Sequence, residues 1–200
     1  MIKIQGKLPR NITLAYSGGV DSRVMFEFLK KNHQIHLIHV NHGDEASEKE
    51  AENLRKLKTG RSVKITSIDA KYNIPNGESR EHFWSKVRKE KLKDFGDVIM
   101  CHHLDDCVET WIASSLKGNP TIIPYRSGNI IRPFRMTSKD DILSYAKRHK
   151  IKWVEDKSNS NPEYSERSYI RNVLMPHALR VNPGLKKTVM KLVQGDSKFD

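Results

Sequence analysis

Six consecutive residues, Ser17 to Ser22, combine two hydroxyls, two glycines and a carboxylate in the order Ser-Gly-Gly-Val-Asp-Ser. They stand between a short apolar run and an amphipathic stretch, which predicts a strand, a loop and a helix. Such a loop presents backbone N–H groups and the positive end of a helix dipole to an anion. Gly18 and Gly19 let the backbone approach phosphate oxygens closely, and Asp21 needs a cation between itself and phosphate. The loop therefore predicts a phosphate site with Mg²⁺ at Asp21; a glycine turn with Asp21 and Ser22 as helix caps is the alternative.

A second cluster, Cys101 to Thr110, reads Cys-His-His-Leu-Asp-Asp-Cys-Val-Glu-Thr. It follows a short apolar run and begins an amphipathic stretch, so it is expected at the same edge of the sheet as the first loop. Asp106 and Glu109 are three residues apart, so on a helix they share one side and could clamp a metal, an ammonium or a guanidinium group. Ordinary acid enrichment at a helix N-terminus is the alternative. His103 is a candidate proton acceptor on chemical grounds alone.

The two cysteines, Cys101 and Cys107, are too few for a disulfide scaffold and too far apart for a Cys-x-x-Cys pair. A zinc site built from them with His102 and His103 is disfavoured, because adjacent ligands splay apart and no distant cysteine pair completes it.

The composition indicates a polyanionic partner. The chain has 200 residues, and 36 Lys and Arg against 24 Asp and Glu give a net charge of +12. Mean hydropathy is −0.67, and the sequence contains neither an apolar run long enough to span a bilayer nor the core of a signal peptide. We therefore expect a cytoplasmic protein and exclude the secreted, membrane and fibrous classes. The segment from Lys117 to Lys152 holds nine of the basic residues and two acidic ones, and it is either a solvated surface or a track for nucleic-acid phosphates.

Short apolar runs alternate with amphipathic stretches, which predicts a parallel sheet with crossover helices. The predicted strands are 11–16, 35–40, 63–68, 97–101 and 129–131. The first predicted helix begins at the Ser17 to Ser22 loop and ends at about 32. The others run from 46 to 58, from 78 to 94, from 105 to 116, from a Ser138 cap to 148, and from about 165 onward. A polar loop is expected at 156–162.

The first loop resembles the pyrophosphate loop of the N-type ATP pyrophosphatases, whose Ser-Gly-Gly-x-Asp-Ser motif it matches at every fixed position; it lacks the lysine of a Walker loop. Within that superfamily, His-His-x-x-Asp-x-x-Glu-Thr at 102–110 is similar to a signature of tRNA(Ile)-lysidine synthetases. Further similar stretches are Val40 to Gly43, Arg132 to Phe134, Trp153 to Asn159, and the pair Arg167 and Arg171.

The resemblance implies an α/β fold with a parallel twisted sheet, helices on both faces as in a Rossmann-like ATPase, and a short helical C-terminal extension. It divides the chain into an ATP pyrophosphatase domain at 1–135 and a helical part of the same catalytic unit at 136–200. The carboxyl-terminal tRNA-binding domains of longer members are not expected here, which suggests a minimal form.

The resemblance also implies an activity: ATP-dependent ligation of free L-lysine to the wobble cytidine of a tRNA(Ile) with a CAU anticodon, with ATP and Mg²⁺ as cofactors. A homodimer is left open. The alternatives are a thiolase-like tRNA-modifying enzyme of the same superfamily and a catalytically idle tRNA-binding module. The site residues carried over are: for ATP, Ser17, Gly18, Gly19, Val20, Asp21, Ser22 and Val40; for Mg²⁺, Asp21; for catalysis, Asp21, His103, Asp106 and Glu109; for lysine, Asp106 and Glu109; for tRNA or phosphate, Arg88, Arg132, Arg167 and Arg171.

Overall fold

A mostly parallel sheet forms the centre of the molecule. The computed structural model describes residues 1–43, 45–57, 63–70, 72–78, 80–153 and 161–196. The strands in these ranges are β1 (Asn11–Ala15), β2 (Gln34–Asn41), β3 (Val63–Asp69), β4 (Val98–Ile99), β5 (Arg126–Ser127) and β6 (Ile130–Ile131). They lie in the order β3-β2-β1-β4-β6-β5. Every pairing is parallel except that of β5 with β6, which confirms the predicted sheet and adds a short antiparallel edge that was not predicted.

Helices follow the strands as the alternating pattern predicted. They are α1 (Val20–Leu29), α2 (Glu45–Arg55), α3 (Arg80–Leu92), α4 (Leu104–Leu116), α5 (Lys139–Arg148), α6 (Glu166–Tyr169), α7 (Met175–Val181) and α8 (Leu185–Asp196). A 3₁₀ turn, Lys93–Phe95, extends α3, and a π-helical segment, Ile170–Leu174, joins α6 to α7. The predicted last helix is therefore interrupted twice, first by this segment and then at Asn182, where α7 ends.

Apolar side chains cover both faces of the sheet. On one face Ile12 and Leu14 of β1 belong to a core that includes α1 and α5. On the other face Ile38 and Val98 pack with Leu92 at the end of α3. A third cluster lies between α4 and α8. Helices on both faces confirm the expected fold class. No helix in the described ranges is long and apolar enough to cross a membrane.

The strand order places a topological switch point between β1 and β4. From β1 the chain moves outward to β2 and β3, and it then returns to pair β4 with the opposite side of β1. Connections leaving β1 and β4 therefore run in opposite directions and open a crevice at the carboxyl ends of these strands, which is where ligands bind in open α/β sheets. The loop Ser17–Gly19 and the loop Cys101–His103 both begin at this crevice.

Candidate active site

The loop between β1 and α1 is held in shape by its own two serines. Ser22 Oγ accepts a hydrogen bond from the Ser17 backbone N–H at 3.2 Å and donates one to the Gly19 carbonyl at 3.1 Å. The Ser17 and Ser22 hydroxyls are 3.3 Å apart. Gly19 is the N-cap of α1, and no side chain of the described residues caps this helix. The first-turn N–H groups, which lack intrahelical acceptors, are thus left for an anion.

Gly18 is required by its backbone and by its neighbour. Its φ is +78°, a left-handed conformation that L side chains rarely adopt. A Cβ at this position would lie 3.0 Å from Cδ of Glu50 in α2. A Cβ on Gly19 would meet only Ser17 Oγ, at 3.6 Å. The first glycine is therefore structurally necessary, whereas the second leaves open space for a ligand to approach.

Asp21, in the first turn of α1, faces two groups from distant parts of the chain. Lys139 Nζ at the start of α5 donates to its Oδ1 at 2.6 Å, and Nε2 of His103 lies 3.6 Å from the same oxygen. Sequence reasoning missed Lys139. The available signal was its position directly after the Ser138 cap, since α5 begins at the same edge of the sheet as α1 and α4.

His103 and Asp106 cap α4 reciprocally. The Asp106 backbone N–H donates to His103 Nδ1 at 3.3 Å, and the His103 backbone N–H donates to Asp106 Oδ2 at 2.8 Å. In the neutral ring this leaves the proton on Nε2, the nitrogen that faces Asp21. The cap thereby fixes both the tautomer and the direction of the ring. The role of His103 as a general base stays a prediction.

The predicted carboxylate clamp holds two guanidinium groups. Arg171 binds Glu109 in a bidentate manner, with Nε to Oε1 at 2.6 Å and Nη2 to Oε2 at 2.9 Å. Arg167 bridges the two acids, donating from Nε to Glu109 Oε2 at 2.8 Å and from Nη2 to Asp106 Oδ1 at 2.6 Å. Only 2% of the Glu109 side chain is exposed. Of the three cations considered for this pair, guanidinium is the one that it contacts in the structure.

Neighbouring charges keep Asp106 and Arg171 of this cluster ionised. Burial by itself would raise the pKa of Asp106, but the neighbouring His103 and Arg167 outweigh it and hold that pKa well below its usual range. Burial lowers the pKa of Arg171, yet its hydrogen bonds to Glu109 prevail and the pKa is raised. The π-helical segment carries Arg171, and such widened turns are frequent at functional sites.

Sequence reasoning considered His102 only as a zinc ligand and as part of the His-His signature. Its Nδ1 is buried without a hydrogen-bond partner in the described part of the chain. Burial lowers its pKa to about 4, an effect that the nearby Asp106 opposes and Arg132 and Arg167 reinforce. The ring is therefore neutral at physiological pH, and its buried Nδ1 lies close to the carboxylate clamp.

The other residues predicted for ligand contacts lie in different surroundings. Val40 is buried near the carboxyl end of β2, and Arg88 Nη2 is 3.4 Å from Nε2 of His42. Arg132 is 95% buried and donates to the Pro124 carbonyl at 3.0 Å, while its Nε has no partner among the described residues. Its contact with phosphate, like that of Arg88, stays a prediction.

Two basic residues of the Lys117 to Lys152 segment, Arg132 and Arg135, are buried, and Arg126 forms an ion pair at the surface. Arg135 is fully buried and bonds Gln5, the Ile123 carbonyl and Asp196. Arg126 pairs with Asp97. The idea of one continuous phosphate track is thus wrong for Arg135, whose donors are directed to protein groups. The exposed basic residues of the segment are Lys117, Arg126, Lys147, Arg148, Lys150 and Lys152.

The donor set fits magnesium bound mainly through phosphate. No group of three or more His, Cys, Asp or Glu side chains in the described ranges could hold a metal by itself. Asp21 is a single, partly exposed carboxylate at the end of the phosphate loop. Mg²⁺ commonly takes one or two carboxylates, with phosphate and water supplying the remaining ligands. Asp21 fits that role as Mg²⁺ ligand, which stays a proposal.

The motif from Trp153 to Asn159 lies outside the described residues apart from Trp153 itself. Both cysteines are free, and burial raises the pKa of Cys107 to about 12 and that of Cys101 still further. These thiols are therefore poor thiolates.

Comparison with known proteins places the chain in a family. The model of the PP-loop domain matches residues 2–178. The tRNA(Ile)-lysidine synthase of Exiguobacterium sibiricum is 29% identical over an alignment that covers 92% of this chain and 47% of that protein. The tRNA(Ile)-lysidine synthase of Francisella philomiragia is 30% identical over an alignment that covers 92% of this chain and 49% of that protein. The chain thus spans about half the length of these curated relatives.

Among solved structures, the NH3-dependent NAD synthetase from Campylobacter jejuni matches with a TM-score of 0.48 and 15% identity. The match covers 96% of this chain and 87% of that one.

Proposed function

This chain belongs to the PP-loop domain family, and we propose that it uses ATP to join lysine to the wobble cytidine of an isoleucine tRNA with a CAU anticodon. One observation carries the proposal. The phosphate loop with Asp21 and the clamp of Asp106 and Glu109 meet at one switch point, linked through His103. This proximity supports the assignment of the loop to adenylation and of the clamp to a second, cationic substrate. The names of the curated relatives support the same assignment.

In the first step the cytidine 2-oxo oxygen attacks the α-phosphorus of ATP. A new P–O bond forms, the bond from the α-phosphorus to the bridging oxygen breaks, and pyrophosphate leaves with that electron pair. The first-turn N–H groups of α1 and the hydroxyls of Ser17 and Ser22 bind the phosphate oxygens. Magnesium at Asp21 would neutralise charge on the leaving group.

In the second step the lysine amine attacks C2 of the adenylated base. The C2–N bond forms, and the C2–O bond breaks with its electrons going to AMP. The ammonium must first lose a proton, and the candidate acceptor is His103, through Nε2 after a change of tautomer. Asp106 and Glu109 orient the lysine.

The charge balance of the site favours binding of Mg·ATP before lysine. Asp21, Asp106 and Glu109 carry three negative charges, and Lys139, Arg167 and Arg171 carry three positive ones. A lysine entering this neutral cluster would bring an unbalanced charge. Bound Mg·ATP adds net negative charge, so the nucleotide makes the clamp receptive to the lysine ammonium.

The thiolase alternative is less favoured, because the raised pKa values of Cys101 and Cys107 oppose persulfide chemistry. The idle binding module is less favoured because the phosphate loop is preformed and the carboxylate clamp fully charged. Binding alone requires neither arrangement.

The test is a filter assay with the purified chain, Mg·ATP, labelled lysine and an isoleucine tRNA transcript bearing CAU. A transcript with uridine at the wobble position and the Glu109→Ala variant are the controls. Label retained only on the CAU transcript, with an equal amount of AMP and loss of both in the variant, is the expected result. AMP without label would overturn lysine as the second substrate. If the chain releases no AMP and retains no label on any transcript, the proposed function is wrong.

A further inference from the structure

The phosphate loop contains no lysine, but the fold brings one to it. Lys139 lies 118 residues after Asp21 in the sequence, and its Nζ is 2.6 Å from Asp21 Oδ1. Loops of the Walker type carry a lysine that reaches the β- and γ-phosphates. In this chain the corresponding positive charge arrives from the first residue of α5.

The position of Lys139 is built by several contacts at its backbone. Its N–H donates to Asp105 Oδ2 at 2.8 Å, and Asp105 Oδ1 pairs with Lys186 Nζ of α8 at 2.5 Å. Ser138 Oγ caps α5 by accepting from the Asp141 N–H at 3.1 Å. The bond to Asp105 ties the start of α5 to the first turn of α4, so the backbone of Lys139 is held beside the phosphate loop.

The Lys139 side chain and its partner are both partly exposed. About a third of the Lys139 side chain is exposed (34%), as is 31% of the Asp21 side chain. A lysine has four rotatable bonds and a compact charge that binds phosphate oxygens without a fixed geometry. The ion pair with Asp21 can therefore open while the backbone of α5 stays in place.

A Mg²⁺ ion held by Asp21 would compete with the Lys139 ammonium for that carboxylate. Because two cations repel each other at close range, Mg²⁺ held there would favour movement of the ammonium away from Asp21. The nearest new anions are the phosphates that the metal brings. The lysine thus exchanges one negative partner for another.

We propose that Lys139 is the pyrophosphate-holding residue of this site: it neutralises Asp21 in the empty protein and binds the β- and γ-phosphates once Mg·ATP is present. This deepens the proposed function and rests on it, since adenylation is the step that produces pyrophosphate. After the α-phosphorus has been attacked, the ammonium stabilises the charge on the departing pyrophosphate oxygens.

The test is calorimetric binding of Mg²⁺ alone and of magnesium pyrophosphate to the full chain, and neither titration needs tRNA or lysine. The variants are Lys139→Met, Lys139→Arg and, as a matched control, Lys187→Met at an exposed position of α8. We expect Lys139→Met to weaken pyrophosphate binding by about 10- to 100-fold, the range of a lost charge-assisted hydrogen bond. The same variant should bind Mg²⁺ alone more tightly, because the competing ammonium is gone. Lys139→Arg should restore pyrophosphate binding to within several-fold, and Lys187→Met should change neither.

Unchanged pyrophosphate affinity in Lys139→Met would overturn the proposal. Equal weakening of Mg²⁺ and pyrophosphate binding, together with a lower free energy of unfolding, would also overturn it and leave Lys139 a structural residue. The two proposals can fail separately. If pyrophosphate binding depends on Lys139 as expected but the wild-type chain incorporates no labelled lysine, the lysine-ligation proposal fails while the role of Lys139 stands.

Discussion

Arg171 and Glu109 form a bidentate ion pair across 62 residues of sequence, with Nε to Oε1 at 2.6 Å and Nη2 to Oε2 at 2.9 Å. The pair ties the π-helical segment to the first half of α4. Because Arg167 shares Oε2 of Glu109, one carboxylate orients both arginines. The clamp predicted from the spacing of two acids is thus closed by residues of the C-terminal helices.

Replacing Glu109 by Gln should destabilise the protein. The change leaves two guanidinium groups at a buried site with one carboxylate, and breaking a buried ion pair from one side costs about 3 kcal/mol. Urea unfolding followed by circular dichroism measures this, with Glu163→Gln at an exposed position as control. A loss below about 0.5 kcal/mol, which is typical of surface sites, would contradict the burial of the pair.

The two loop glycines should respond differently to alanine. Gly18→Ala requires a left-handed alanine and pushes against Glu50, so we expect a loss of about 1–2 kcal/mol in the free energy of unfolding. Gly19→Ala, at a φ of −64° with ordinary contacts, should be neutral or slightly stabilising. Both variants should bind ATP more weakly, Gly18→Ala through distortion and Gly19→Ala through the added Cβ. Equal stabilities of the two variants would show that the loop is not held as described.

The structure around these glycines could be predicted from the sequence because it depends on nearby residues. Strand, loop and helix around Ser17 to Ser22 follow from local patterning, as does the Ser138 cap, because each depends on neighbours within a few residues. The predicted strand 97–101 is shorter in the structure, where only Val98 and Ile99 pair with their neighbours. The residues that follow it turn into the crevice.

Long-range partners lie beyond such patterns. The contact of Lys139 with Asp21 and that of Arg167 with Asp106 join segments 118 and 61 residues apart. A lysine or arginine at the surface and one in a functional site are the same residue type in the sequence. They differ only in the groups that the fold brings into contact with them. Arg135 illustrates the converse, because a residue counted toward an RNA-binding charge is buried against Gln5.

Acid should destabilise the protein through His102. Its pKa of about 4 in the folded chain lies below the ordinary value near 6.5, so the unfolded chain binds more protons between these pH values. The free energy of unfolding should therefore fall as the pH drops from about 6.5 to about 4, by up to about 3 kcal/mol from this group. Above pH 7 it contributes no pH dependence.

Urea unfolding at several pH values checks this, with His102→Gln expected to flatten that part of the profile. His177→Gln, at an exposed position, should leave the profile unchanged. If His102→Gln follows the wild-type curve between pH 6.5 and pH 4, the acid sensitivity arises from other groups and the buried neutral state of His102 is refuted.

Lysine should bind after the nucleotide. The charges of Asp21, Asp106 and Glu109 are balanced by Lys139, Arg167 and Arg171 in the empty site, so the lysine ammonium gains little there. A magnesium complex of a non-hydrolysable ATP analogue would add negative charge at the adjacent phosphate loop. An interaction energy of about 1–2 kcal/mol corresponds to roughly a tenfold gain in lysine affinity. Calorimetric titration of lysine into the protein, with and without the analogue, measures this gain in affinity. Norleucine, which lacks the side-chain ammonium and carries no net charge, should show no such gain. A lysine affinity that does not change with the analogue would mean that the bound nucleotide does not affect lysine binding at the clamp.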